Sequence, residues 1–197
     1  MALFRHWMVP LAANRDCEPG GDADPSRAPL DFRTVFAQHF QYLWSSLRRL
    51  GVAEGDLEDI AHEVWLRVHA QLPQYDPEKP VRPWLFALAL GAASNYRRLA
   101  RHRIEAQVNP EELHDPRPFA DESLLTRERN GLVHLALQQV PLEQRAMLVL
   151  HEMDETPVPE IANALGISVN TAYSRLRLGR AAFRRALELA VAQGGFP

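Results

Sequence analysis

The stretch "EIANALGISVNTAYSRLRLGRAAFRR", residues 160–185, decides how this chain is read. Its apolar residues keep a helical period up to Leu165, break at Gly166 and resume after Ser168. Thr156 is expected to cap the first helix, with Val158, Ile161, Ala162 and Leu165 turned inward. Gly166 supplies the positive φ of a tight turn, Ile167 plugs the core and Ser168 caps the next helix. In that second helix Val169, Ala172, Leu176 and Phe183 share one face. Asn170, Thr171, Ser174, Arg175 and Arg177 form the other, with Tyr173 near its edge. A helix–turn–helix needs this division: an apolar side to lock the second helix onto the first, and polar groups at its N-terminal half for base edges. Arginines further along, such as Arg180, suit phosphates. The competing reading is an ordinary helical hairpin with a solvated basic face.

Working outward, charge is strongly patterned although the formal net charge is only −3. Residues 54–63 hold Glu54, Asp56, Glu58, Asp59 and Glu63 without a lysine or arginine. Residues 97–103, "RRLARHR", hold four arginines and no acid. Residues 104–123 carry six acids against Arg117, and residues 168–185 carry five arginines and no acid. Binding to nucleic acid depends on such local fields, so the mildly acidic total does not exclude it.

The 197 residues suffice for one medium domain or two small ones, and an apolar fraction of 46% supports a packed core. A single cysteine, Cys17, excludes an intramolecular disulfide and a cysteine-rich zinc site. The longest apolar run, "PWLFALALGAA", is too short for a bilayer, and Arg5 and His6 break the apolar start. The expectation is a cytoplasmic protein without membrane insertion.

Residues 1–30, with four prolines, are read as a disordered tail. From Asp31, an expected N-cap, Phe32, Phe36, Phe40, Leu43, Leu47 and Leu50 follow a helical period that Gly51 ends. A second helix is expected over about Glu54–Leu72, with Leu57, Ile60, Ala61, Val64, Trp65 and Val68 inward and Pro73 as its stop. After the loop "PQYDPEKPVRP", a third starts near Arg82 or Pro83, apolar first and basic later. The fold class is therefore all-α: two small helical domains, 31–103 and 124–192, joined by a flexible acidic linker at 104–123, the second with the helix–turn–helix. Pro141 and Pro157 stand where first-turn prolines belong.

The basic end of the third helix, "NYRRLARHR", places Tyr96 beside Arg97 and Arg98. Stacking and phosphate neutralisation at one place suit unpaired nucleic acid; a solvated helix end is the bland alternative. Trp84, before "LFALAL", is expected in the core, whereas Tyr75 could equally pack or hold an extruded base.

These pieces together resemble an extracytoplasmic-function sigma factor, the two-domain form of the bacterial RNA polymerase specificity subunit. "GDLEDIAHEVWLRVHAQLPQYDP" resembles the core-binding helix and its loop, and "RPWLFALALGAASNYRRLARHR" the promoter-melting helix. "LALQQVPLEQRAMLVLHEMDETPVPEIANALGIS" and "VNTAYSRLRLGRAAFRRAL" resemble the start and recognition helix of the second domain. The resemblance implies that Asp56, Asp59, Ile60, Glu63, Val64 and Arg67 meet the coiled coil of the polymerase β′ subunit. It implies a minus-10 surface of Tyr75, Asn95, Tyr96, Arg97, Arg98 and Arg101. It implies a minus-35 surface of Ser168, Asn170, Thr171, Tyr173, Ser174, Arg175, Arg177 and Arg180, with the second domain seated on the β flap. An anti-sigma factor is an implied partner; no cofactor, metal or catalytic group is expected. Three positions depart from the family pattern: Gly91 replaces a usual asparagine, Tyr173 a common basic residue, and Leu178 a common arginine or lysine.

Three other classes are open on the residues alone, of which a pure interaction protein such as an anti-sigma antagonist would explain the acids but not two separate arginine-rich helices. A helix–turn–helix regulator acting without polymerase would need a dimer interface or receiver domain, and no α/β pattern is visible. A helical enzyme is disfavoured because the histidines lack metal-ligand spacing; His62–Glu63 is followed by Leu66 where a zinc helix would need its second histidine.

Overall fold

The computed structural model describes residues 30–106 and 124–192; for residues 101–106 and 124–130 it describes the backbone alone. Seven α-helices make up the fold, and no strand occurs among the described residues. The helices are α1 (Phe32–Leu50), α2 (Leu57–Gln71), α3 (Val81–Ala106), α4 (Leu124–Gln139), α5 (Leu142–Leu148), α6 (Val158–Ala164) and α7 (Val169–Ala192). A π-helical turn, Val149–Met153, continues α5. Residues 1–29, including Cys17, and residues 107–123 lie outside the described residues.

Helix α1 starts as its sequence dictates. The Asp31 carboxylate accepts a hydrogen bond from the Thr34 amide at 3.2 Å, satisfying an orphan donor of the first turn. It ends at Gly51, whose φ of 95° is the left-handed conformation that glycine adopts without a Cβ clash. The Gly51 and Val52 amides then return to the carbonyls of Arg48 and Leu47. Val35, Leu43, Leu47 and Leu50 point inward, meeting Leu57, Ala61, Val64, Trp65 and Val68 of α2 and Leu85, Phe86, Ala89 and Ala93 of α3. Each fully buried large side chain of this set contributes about 1.5–3 kcal/mol.

The C-terminal group is built around α7, which packs on α4, α5 and α6. Gly179 marks a close crossing of α7 and α5: a Cβ there would sit 2.9 Å from the Gln144 carbonyl oxygen and 3.3 Å from Leu148 Cγ. The two groups also touch, α3 against α6 and α1 against α4 and α5, and one continuous buried cluster runs through both.

Several boundaries differ from expectation. The second helix opens with a 3₁₀ turn over Glu54–Asp56, and a further 3₁₀ turn, Leu72–Gln74, carries Pro73 past its end. Helix α3 extends to Ala106, three residues into the expected linker. Pro141 and Pro157 occupy cap positions one residue before the helices, not their first turns. Thr156 does not cap α6: Pro157 takes that place, and Thr156 is buried with its hydroxyl 3.5 Å from the Asp154 carbonyl oxygen.

Candidate nucleic-acid interface

The turn between α6 and α7 has the geometry its residues demand. Gly166 has φ of 63°, and the Ile167 amide closes back on the Ala162 carbonyl at 3.0 Å. Ser168 Oγ accepts the Thr171 amide at 3.1 Å and lies 2.8 Å from the Thr171 hydroxyl. The two hydroxyls therefore fix the start of α7. Ala172, Leu176 and Gly179 are buried against α5 and α6. Asn170, Ser174 and Arg177 stand on the opposite, exposed face. Tyr173 is 55% exposed and Leu178 46%, large apolar surfaces flanking the polar strip.

The arginines of α7 are not equivalent. Arg175 pairs with Glu143 of α5, and Arg180 Nε donates to Glu152 at 2.7 Å. The acids that oppose them come from earlier in the chain, so a window of 168–185 could not reveal them. Arg177, Arg184 and Arg185 have no ion-pair partner among the described residues, and all three are exposed.

The basic end of α3 is arranged differently. Tyr96 donates its hydroxyl proton to Asp56 at 2.7 Å, and Arg98 donates to Asn95 Oδ1 at 2.9 Å. A residue expected to meet the unpaired strand is thus tied to one expected to meet polymerase. The Arg101 side chain lies outside the described residues. Gly91 sits in α3, half-buried. Tyr75 stacks on Trp84, centroids 4.3 Å apart and planes 27° apart. Burial, and secondarily the Asp76 charge, push the Tyr75 phenol up to about 12, so it stays neutral. Trp84 is buried, as expected.

On α2, Asp59 is exposed, while Ile60, Glu63 and Arg67 are half-buried; Glu63 and Arg67 pair across one turn. Val64 is fully buried among residues of α1 and α3, on the inward face its helical period gives it, so of the residues expected to meet polymerase it is one with no exposed surface. Its side chain supports α2 from behind and has no surface to offer.

Sequence reasoning passed over Arg145. It is fully buried. Its guanidinium donates to Gln138 Oε1 at 2.6 Å, the Gln138 carbonyl at 2.7 Å, the Val140 carbonyl at 3.0 Å and the Leu50 carbonyl at 2.9 Å. Burial, and then the Arg97 charge, lower its pKa to about 9, which leaves it protonated at neutral pH. Asp154 was also missed; it accepts from the Tyr42 hydroxyl at 2.8 Å. Burial raises its carboxyl pKa, opposed by Tyr42, Arg49 and Arg82. No sequence window joins residues so far apart.

No group of three or more histidine, cysteine or acidic side chains able to hold a metal occurs among the described residues. None of their helices is long and apolar enough to cross a membrane.

A helix–turn–helix with an open polar face, joined to a three-helix group ending in a basic helix, is the arrangement that the sigma-factor resemblance implies. Family models bear this out, sigma-70 region 2 matching residues 35–103 and sigma-70 region 4 matching residues 130–183. The RNA polymerase sigma factor CarQ of Myxococcus xanthus is 31% identical over 166 residues, covering 82% of this chain and 94% of CarQ. The ECF RNA polymerase sigma factor SigL of Mycobacterium tuberculosis (strain CDC 1551 / Oshkosh) is 30% identical, covering 79% of this chain and 88% of SigL. The fold is shared with sigma factor RpoE from Bartonella quintana, solved with the anti-sigma factor NepR, at 16% identity and a TM-score of 0.67 over 80% of this chain and 97% of RpoE. The chain belongs to the extracytoplasmic-function sigma factors, which direct promoter-specific initiation by RNA polymerase and are not themselves catalytic.

Proposed function

We propose that the family activity is divided between three surfaces of this chain. Helix α7 reads the minus-35 element in the major groove through Asn170, Ser174 and Arg177, with Tyr173 and Leu178 at the flanks. Ser168 and Thr171 set the helix start, while Arg175 and Arg180 reach phosphates by exchanging their acid partners. The end of α3, with Asn95, Tyr96, Arg97, Arg98 and Arg101, holds the unpaired minus-10 strand, and Tyr75 supports the adjoining loop through its stack on Trp84. The exposed edge of α2, from Asp56 and Asp59 through Ile60, Glu63 and Arg67, meets the β′ coiled coil, and the C-terminal group sits on the β flap. The two helical groups are the two functional domains, and the protein works in the cytoplasm, where polymerase is. An anti-sigma factor is a proposed regulator, in keeping with the partner of the fold relative RpoE.

The observation that carries this reading is the split of α7 into a buried Ala172–Leu176–Gly179 side and an open Asn170–Ser174–Arg177 side. The test is selection of duplex minus-35 sequences by the chain bound to core polymerase. An enriched motif is expected with the wild type, and relaxed preference at one position with Arg177→Ala. The same motif from both would remove Arg177 from the reading face.

A further inference from the structure

The acids that meet α7 are placed selectively. At 3.6 residues per turn, Asn170, Ser174 and Arg177 fall within about 60° of one another and form the open face. Arg175 and Arg180 lie on opposite sides of that face, each roughly 90–130° away, short of the buried Ala172–Leu176–Gly179 side. Each of these two flanking arginines holds a carboxylate. Arg175 Nη2 pairs with Glu143 in the first turn of α5. Arg180 turns two donors onto one oxygen of Glu152 in the π turn, Nε at 2.7 Å and Nη2 at 2.6 Å. Arg177, between them on the open face, has no ion-pair partner among the described residues.

A helix lying in a major groove, about 12 Å wide, has base edges in front of it and a phosphate backbone on each flank. The flanking arginines are therefore the ones placed for phosphates of opposite strands, and each already carries an anionic oxygen. Carboxylate and phosphate offer a guanidinium the same kind of acceptor. The acids are also able to leave. The Glu143 side chain is 66% exposed and that of Glu152 45%, so a displaced carboxylate returns to water and is not stranded in the interior. An exposed ion pair is weak, whereas an arginine–phosphate contact also releases counterions from the duplex. Exchange is thus favoured on DNA, but each exchange subtracts the lost pair from the gain.

We infer that Glu143 and Glu152 are internal phosphate surrogates, which occupy the flanking arginines of α7 and lower the affinity of this chain for DNA of any sequence. The inference rests on the minus-35 reading of α7 and adds to it two positioning residues that act through Arg175 and Arg180. A helix with all five arginines unopposed would hold every duplex by charge alone. With two of them engaged, the base contacts of Asn170, Ser174 and Arg177 supply a larger share of the total affinity. The competing account is a pair of ordinary surface salt bridges that only fasten α7 to α5 and the π turn. The two differ in sign. Removing a surrogate strengthens DNA binding, whereas removing a fastening leaves it unchanged or weaker.

The test is equilibrium binding of the full-length chain, seated on core polymerase, to two labelled duplexes. One carries the motif enriched in the minus-35 selection and the other a scrambled sequence. Glu143→Gln and Glu152→Gln are each expected to tighten both duplexes about two- to fivefold, the range an exposed ion pair allows, with the ratio between the duplexes unchanged. In urea unfolding neither variant should be more stable than the parent, so affinity and stability do not rise together. A double-mutant cycle with Arg180→Ala isolates the exchange: in that background Glu152→Gln should alter either affinity by less than about 1.5-fold. Tightening of full size without Arg180 would assign the effect to general charge and overturn the inference. Unchanged or weaker binding in either single variant would overturn it as well. Absence of binding to both duplexes by every form would refute the minus-35 reading itself, and the inference with it.

Discussion

The two basic helices are prepared for nucleic acid in opposite ways. The polar face of α7 is open: Asn170, Ser174 and Arg177 are exposed on a helix whose back is locked by Ala172, Leu176 and Gly179. The end of α3 is engaged with its own chain: Tyr96 is bonded to Asp56 and Asn95 to Arg98. A rigid open face suits duplex DNA, whose groove edges are fixed and need only be met. An engaged face suits a target that exists only after melting, because internal partners satisfy its polar groups until the strand replaces them. The Tyr96–Asp56 bond also joins the proposed strand-binding and polymerase-binding surfaces. Docking at Asp56 would free Tyr96 for stacking.

The comparison is open to attack at several points, the largest effect first. Leu176→Ala removes the buried anchor of α7 and should cost about 3 kcal/mol of stability in urea unfolding, with duplex binding lost in parallel. A cost below 1 kcal/mol would show that α7 is not seated as described. Arg177→Ala should leave the unfolding midpoint unchanged and weaken the preferred minus-35 duplex by about 2 kcal/mol, roughly 30-fold, with no effect on a single-stranded minus-10 oligonucleotide. Equal losses on both probes would erase the distinction between the helices. Tyr96→Phe should cost about 1 kcal/mol of stability through loss of the Asp56 bond, while the holoenzyme keeps its affinity for the minus-10 strand because the ring remains. A strand affinity that fell tenfold would mean that the hydroxyl, not the ring, is the contact.

Two smaller effects sharpen the picture of α7. Arg184→Ala should weaken all duplexes alike and reduce the slope of log affinity against log salt by about 1, the signature of one lost phosphate contact. An unchanged slope would place Arg184 away from DNA. Replacing thymine by uracil in the minus-35 duplex tests Tyr173 and Leu178, whose exposed apolar surfaces match thymine methyl groups. The loss should be no more than about threefold in the wild type and absent in Tyr173→Ala with Leu178→Ala. Loss of equal size in both proteins would assign the methyl contact elsewhere.

Much of this was legible in the residues, and what was hidden has a common cause. Asp31, Gly51, Gly166 and Ser168 act within four residues of themselves, so their caps and turns follow from local chemistry. Apolar period placed the helices and identified Trp84 as core. The burial of Arg145 is decided by α1 carbonyls 95 residues away, and its helix position alone suggests solvent. The Tyr42–Asp154 bond spans 112 residues. Arg175 and Arg180 looked unopposed because Glu143 and Glu152 lie outside their segment. Val64 lies on the inward face that its helical period indicates, behind the acids of the outer face. The π turn after α5 has no local marker at all.

The central claim is that both basic helices serve one promoter only when this chain is seated on polymerase. Run-off transcription with purified core polymerase, on a pool of duplex templates with randomised upstream sequence, tests it most directly. The account predicts transcripts from a selected subset that depend on this chain, and a sharp reduction when Arg177→Ala replaces it. Absence of chain-dependent transcripts from any template, with the protein folded, would contradict it.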